Sequence, residues 1–220
     1  WAAARPVLTG NKQVYYDTGD TDTQTIYKLM VSTVTPRPIA WVTSQSPDGV
    51  LNAAPYSFFN AMGPNPPTLA LGLMHDPVRG RKDTASNILD TGEFVVNLVP
   101  RTLAEAMNVT AIDAPSDIDE LDLAGLATVP STKVAPPRIA GSPVQFECSL
   151  FSGVATGPRQ LLVIGRIEAI HIADDKMLDP GRDYVATPGL DLIARLHAAG
   201  WYQHGGERFE MKRPVYGKDK

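Results

Sequence analysis

Arg79, Arg81 and Lys82 place three cations within four positions of the run VRGRKDTASN (78–87), in a chain whose formal net charge is −4. Asp83 follows as a predicted helix N-cap, with a short helix over 84–89 that Thr91 and Gly92 should end. The first turn of a helix presents backbone N–H groups without intrahelical partners. Thr84 and Ser86 add hydroxyl donors. Fixed cations, aimed N–H groups and short hydroxyls are the three things a phosphate takes from a protein. A solvated basic loop ahead of a capped helix accounts for the same residues equally well.

A second run, WVTSQSPDGVLNAAPYSFFN (41–60), complements the first. Thr43 and Ser44 end one predicted strand, Ser-Pro-Asp-Gly turns the chain, and Asn52 and Ser57 lie on the returning strand. Phe58 and Phe59 stand beside them as flat apolar surface. Hydroxyls and an amide suit a polyol, and aromatic surface suits a planar heterocycle. Ala53 and Ala54 let the backbone come close to such a ring. The alternative is that both Phe side chains are core and the polar residues close the end of a barrel. A phosphate clamp of Arg79, Arg81, Lys82, Thr84 and Ser86 at a helix start, joined to this hairpin, describes a flavin mononucleotide (FMN) site. The glycine-rich turn of an adenine dinucleotide site is absent.

The elements that must position these residues are mostly strands. Strand signals cover 28–33, 36–44, 50–59, 68–74, 94–99, 144–151 and 159–172. Helical signals cover 101–108, 116–126 and 191–200. Strand and long helix do not alternate, so an antiparallel barrel with short helical insertions is expected rather than a parallel sheet. The chain divides into an arm over 1–25, one barrel domain over 26–205 and a tail over 206–220.

Composition narrows the function classes. Apolar residues make up 43% of the 220 and charged residues 20%, which supports a full core and disfavours general disorder. The negative charge argues against nucleic acid or an anionic membrane surface as partner. Cys148 is the only cysteine, so no intrachain disulfide forms and a Cys-based metal site is disfavoured. The four histidines show no metal-ligand spacing beyond a weak His197/His204 pair, and no metal is expected. No apolar run is long enough to span a bilayer, and the opening WAAARPVLTG lacks signal-peptide character, which points to the cytoplasm. Serine-nucleophile and P-loop signatures are absent. Asp117, Asp119 and Glu120 are read as acidic residues favouring a helix N-terminus.

The order PRPIAWVTS, N-A-A-P-Y-S-F-F-N, N-P-P, K-D-T-A-S-N-I, G-E-F-V-V-N-L-V, F-E-C and G-R-I-E-A-I-H-I resembles the flavin reductase-like family with its FMN-binding split barrel, across about 27–203. The resemblance implies a mainly β, antiparallel split barrel, a homodimer, and FMN near the dimer interface. It implies reduction of flavin by NADH or NADPH through hydride transfer to flavin N5, with a monooxygenase or other electron acceptor as partner. The alternative is an FMN-holding electron-transfer protein without free-flavin reductase activity. By the same resemblance Thr43 and Ser44 face the ring or ribityl chain. Asn52, Ala53 and Ala54 line the ring, and Ser57, Phe58 and Phe59 continue the wall. Lys82, Asp83 and Thr84 serve the phosphate, supported by Asn87. No catalytic side chain is assigned. Many relatives carry an Asp-His pair where this chain has Arg159-Gln160. Where many relatives show Arg, paired Gly and Tyr near the C-terminus, this chain has Arg195, Leu196 and His197, then Trp201 and Tyr202.

Overall fold

The computed structural model describes residues 13–197 and 200–216. Its helices are α1 (Thr23–Thr33), α2 (Asp83–Thr91), α3 (Ala104–Val109) and α4 (Glu120–Leu123). The strands are β1 (Arg37–Pro38), β2 (Ala40–Gln45), β3 (Leu51–Tyr56), β4 (Phe59–Pro64), β5 (Pro67–Met74), β6 (Glu93–Leu98), β7 (Thr128–Val129), β8 (Arg138–Ile139), β9 (Val144–Gly157), β10 (Gln160–Ile172), β11 (Met177–Asp179), β12 (Tyr184–Val185), β13 (Ile193–Arg195) and β14 (Tyr202–His204).

Seven strands form one antiparallel sheet in the order β3-β2-β6-β9-β10-β5-β4. Its two end strands, β3 and β4, are joined directly through Ser57 and Phe58, yet they are not paired with each other. The sheet therefore curls back on itself and stays open at that seam, the mainly β split barrel expected from the sequence. Gly165 permits the closure, because a Cβ there would lie 2.4 Å from Cζ of Phe94.

Both faces of the sheet are covered. On β2 every residue from Ala40 to Ser44 is buried, so alternation sends side chains into two separate cores. Ala40 and Val42 join Leu69, Leu71, Ile88 and Phe94. Ile39 and Trp41 join Met107, Leu121, Ile139 and Ile193 under the helical insertion. Helix α2 belongs to the first core through Ala85 and Ile88, and Gly92 ends it in the left-handed region at φ 76°.

Two segments correct the sequence reading. Residues 28–33 are helical, within α1, and not a strand. The Asp22 side chain accepts from the Thr25 N–H at 3.0 Å, and the buried Arg37 guanidinium donates to the Val31 and Val34 carbonyls at 2.5 and 2.9 Å. Both helix ends are thus satisfied by side chains outside the β-like run of Val, Ser and Thr. Residues 193–195 form β13 between β1 and β14 rather than a helix. The Ile193 N–H bonds to the Val99 carbonyl at 3.0 Å, so a distant strand end takes the donor that a local helix would have used. Lys82, not Asp83, occupies the N-cap of α2, and Asp83 is its first helical residue.

Candidate functional site

Strands β2 and β3 pair with Ser44 opposite Asn52 and Thr43 opposite Ala53. Opposed residues share a face. Ser44 and Asn52 therefore meet α2, which lies across that face, while Thr43 and Ala53 look toward the second core. Asn52 Nδ2 donates to Ser44 Oγ at 3.2 Å and to Thr84 Oγ1 at 2.8 Å. Asn87 Nδ2 donates to the same Ser44 Oγ at 3.1 Å. This chain of amides and hydroxyls stitches the first turn of α2 to the hairpin, so the two sequence runs converge.

They converge on a cavity of about 600 Å³, within the ~300–1,000 Å³ of small-molecule sites. Asn52, Ala54, Pro55 and Tyr56 form one wall, the segment from Thr110 to Ser116 with Glu120 another, and Arg79, Arg81, Lys82, Asp83 and Thr84 the basic end. The Ala85 and Ser86 N–H groups bond to the Lys82 carbonyl, at 2.9 and 3.1 Å. Those of Asp83 and Thr84 precede the first of these bonds at the cavity end of the helix.

The cations have an internal partner. Lys82 Nζ lies 2.7 Å from Asp113 Oδ1, and Arg79 Nη2 lies 3.7 Å from the same oxygen. Arg79 Nη1 also donates to the Ala114 carbonyl at 3.0 Å. Two wall residues are electrostatically displaced. Burial pushes the Tyr56 phenol up to about 12, with a hydrogen bond to Thr84 acting the other way. Burial also raises the Glu120 carboxyl above its ordinary 4.5, although its Oε2 accepts the Ala53 N–H at 3.1 Å.

Among the residues expected at the site, Asn52, Ala54, Arg81, Lys82, Asp83 and Thr84 line the cavity. Ser44 stands one hydrogen bond behind it, and Asn87 two. Others lie elsewhere. Thr43 Oγ1 donates to the Pro137 carbonyl at 2.6 Å. Ala53 packs with Trp41 and Leu121. Ser57 Oγ accepts from Arg37 Nε at 3.3 Å, and the Phe58 ring meets Tyr27 edge-on at 6.3 Å. Phe59 packs on the first core.

Glu120, Tyr56 and Asp113 join the site without a sequence signal that singles them out. Glu120 was assigned to helix electrostatics, and it does begin α4, but its side chain is buried on the cavity wall. Among the described residues no group of three His, Cys, Asp or Glu side chains is placed to hold a metal ion. No described helix is long and apolar enough to cross a membrane.

The donor set fits a phosphate monoester carrying a polyol and a ring: cations at one end, amide and hydroxyl in the middle, Ala54 to Tyr56 beyond. Comparison with known proteins identifies a family and a fold. A family profile described as the flavin reductase like domain matches residues 31–188. A Deinococcus radiodurans protein described only as uncharacterized is 37% identical over 194 residues, covering 86% of this chain and 85% of its own. Nitrilotriacetate monooxygenase component B from Bacillus cereus superposes with a TM-score of 0.86 at 32% identity, over 92% of this chain and 100% of that one. The 2-nitrobenzoate 2-nitroreductase NbaA of Pseudomonas fluorescens gives 0.83 at 31%, over 92% and 98%.

Proposed function

Because the chain belongs to the flavin reductase-like family, we propose that it is an FMN-binding oxidoreductase using NADH or NADPH as hydride donor. The observation that carries this is the single cavity shared by the basic start of α2 and the Asn52–Tyr56 strand, tied by the 2.8 Å Asn52–Thr84 bond. When bound, FMN supplies the hydride acceptor at N5 of its ring, so the chain need only bind, orient and shield.

Lys82, Arg81 and Arg79 hold the phosphate, helped by the first N–H groups of α2. Thr84 and Asn52 orient the ribityl hydroxyls. Ala54, Pro55 and Tyr56 flank the ring and keep water from it. Ser44 and Asn87 fix Asn52 and Thr84 from behind. Thr43, Ala53, Phe58 and Phe59 serve by holding the hairpin in place, and Ser57 by holding Arg37. A second copy of the chain completes the seam near the flavin, supported by exposed Phe151, Val154 and Ile170 on the β9–β10 ribbon. Likeness to a monooxygenase component B supports delivery of electrons to a partner enzyme.

Retention of FMN as a fixed electron carrier is favoured by one feature. Arg159-Gln160 stands at the β9–β10 turn, where the family resemblance implies an Asp-His pair. One experiment tests both readings: the visible spectrum of FMN-loaded protein, taken anaerobically before and after NADH or NADPH. Bleaching of the flavin band with repeated turnover of added free FMN supports the reductase. Bleaching of bound flavin alone supports the carrier, and no bleaching with either donor refutes the reductase.

A further inference from the structure

The segment over 111–118 crosses the basic end of the cavity as a strap pinned at both ends. At one end Trp41 Nε1 donates to the buried Thr110 Oγ1 at 2.9 Å. At the other, Asp119 caps α4 by accepting the Leu121 N–H at 2.8 Å, and Glu120 accepts the Ala53 N–H at 3.1 Å. Between these anchors Ala114 alone is buried. What holds the strap against α2 is Asp113 on Lys82 and Arg79, together with the Ala114 carbonyl on Arg79.

We propose that Asp113 is a displaceable internal anion that selects for phosphate-bearing ligands: a phosphate monoester takes its place on Lys82 and Arg79 and frees the strap. The proposal rests on the flavin reading of the cavity for the identity of its natural ligand. Three considerations carry it. The carboxylate sits on the same ammonium that the cavity offers to an anion. The pair is exposed, 39% for the Lys82 side chain and 59% for Asp113, so water and salt screen it and it breaks at little cost. A phosphate monoester carries about −1.5 to −2 against the carboxylate's −1, and it offers more acceptor oxygens to the cations. Lys82 has further N–H donors, but a phosphate sharing the ammonium with Asp113 would face a like charge at close range. Asp76 and Asp83 add negative charge to the same cavity wall, which makes displacement of Asp113 the simplest relief. A neutral ligand such as riboflavin has no claim on Lys82 and leaves the strap shut.

Three proteins test it: the wild-type chain, Asp113→Asn, and Asp117→Asn as a control that removes a strap charge not paired with Lys82 or Arg79. FMN and riboflavin affinities are measured by fluorescence titration at low ionic strength. Amide hydrogen exchange over 111–118 is measured without flavin, in inorganic phosphate against chloride of equal ionic strength. Asp113→Asn should bind FMN about two- to fivefold tighter, with riboflavin unchanged and Asp117→Asn close to wild type. Strap amides should exchange faster in Asp113→Asn, and faster in wild type when phosphate replaces chloride. An Asp113→Asn affinity for FMN at or below wild type, an equal gain in Asp117→Asn, or strap exchange that ignores both substitution and phosphate overturns the proposal. If no flavin binds any of the three while strap exchange still responds to phosphate, the flavin reading fails and the latch stands. If FMN binds wild type and Asp113→Asn alike, the latch fails and the flavin reading stands.

Discussion

Two buried glutamates, Glu147 and Glu120, have opposite electrostatic fates. Glu147, on β9, is fully buried. It accepts from the Thr132 N–H at 2.8 Å, the Thr132 hydroxyl at 3.1 Å and the Lys133 N–H at 2.5 Å. His171 Nε2 lies 2.6 Å away and Arg138 Nε 3.8 Å. Burial pushes its pKa upward, but the donors from Thr132, Lys133 and His171 outweigh burial and hold it below the ordinary 4.5. Glu120 is also buried but has chiefly the Ala53 N–H and its own backbone N–H, and burial wins. Burial alone therefore does not decide a carboxyl's charge; the donors aimed at it do. Glu147 has its donors inside the chain and works as a clasp on the 132–133 loop. Glu120 faces a cavity, where a ligand's hydroxyl or N–H can supply what the chain does not.

The largest effect should come from breaking the clasp. Glu147→Ala removes a buried carboxylate and leaves the Thr132 and Lys133 N–H groups and His171 without their acceptor, and should cost about 2 kcal/mol in urea unfolding. A loss under about 1 kcal/mol would mean that water replaces the carboxylate and that Glu147 is no clasp. On the cavity side, ligand affinity rather than stability should respond. Lys82→Ala should weaken FMN about tenfold and leave riboflavin unchanged, since only FMN carries the phosphate. Equal weakening of both ligands in a titration would move the phosphate away from Lys82. Asn52→Ala should weaken FMN and riboflavin alike, by roughly fivefold, because the hydroxyl chain serves both.

The smallest effect is also the sharpest contrast. Glu147, with its folded pKa lowered, contributes stability that is complete above 4.5 and lost as pH falls through the folded value. Glu120, with its folded pKa raised, does the reverse: stability falls as pH rises from 4.5 through the raised value. Urea-derived stability followed from about pH 7 down to about pH 2 should show Glu147→Gln flattening the loss below 4.5 and Glu120→Gln removing the decline above it. Slopes of the same sign for the two variants would abolish the distinction.

Much of the barrel was legible because its strands are long and patterned. The runs at 144–151 and 159–172 carry apolar and β-branched residues bounded by Gly and Pro, and they became β9 and β10. The basic run before α2 was legible because three cations in four positions stand out in an acidic chain. The site was only half legible. Asn52 and Thr84, singled out by type, line the cavity, yet Thr43, one residue from Ser44, turned to the opposite face. Buried alternation on β2 hides which face is which, since both faces are core.

Local chemistry by itself determined the strand-rich architecture, the presence of a short helix after the basic run and the basic patch itself, because each is written in residues close in sequence. Tertiary packing alone decided that 28–33 coil into a helix, that 193–195 extend, and that Glu120, Tyr56 and Asp113 enter the cavity. In each case a remote partner takes part: the Leu196 carbonyl that holds Arg37 against the end of α1, the Val99 carbonyl on Ile193, and β3 against the 110–120 segment. Hydrogen bonds and burial across such separations depend on where the barrel closes, and no local run of residues records that.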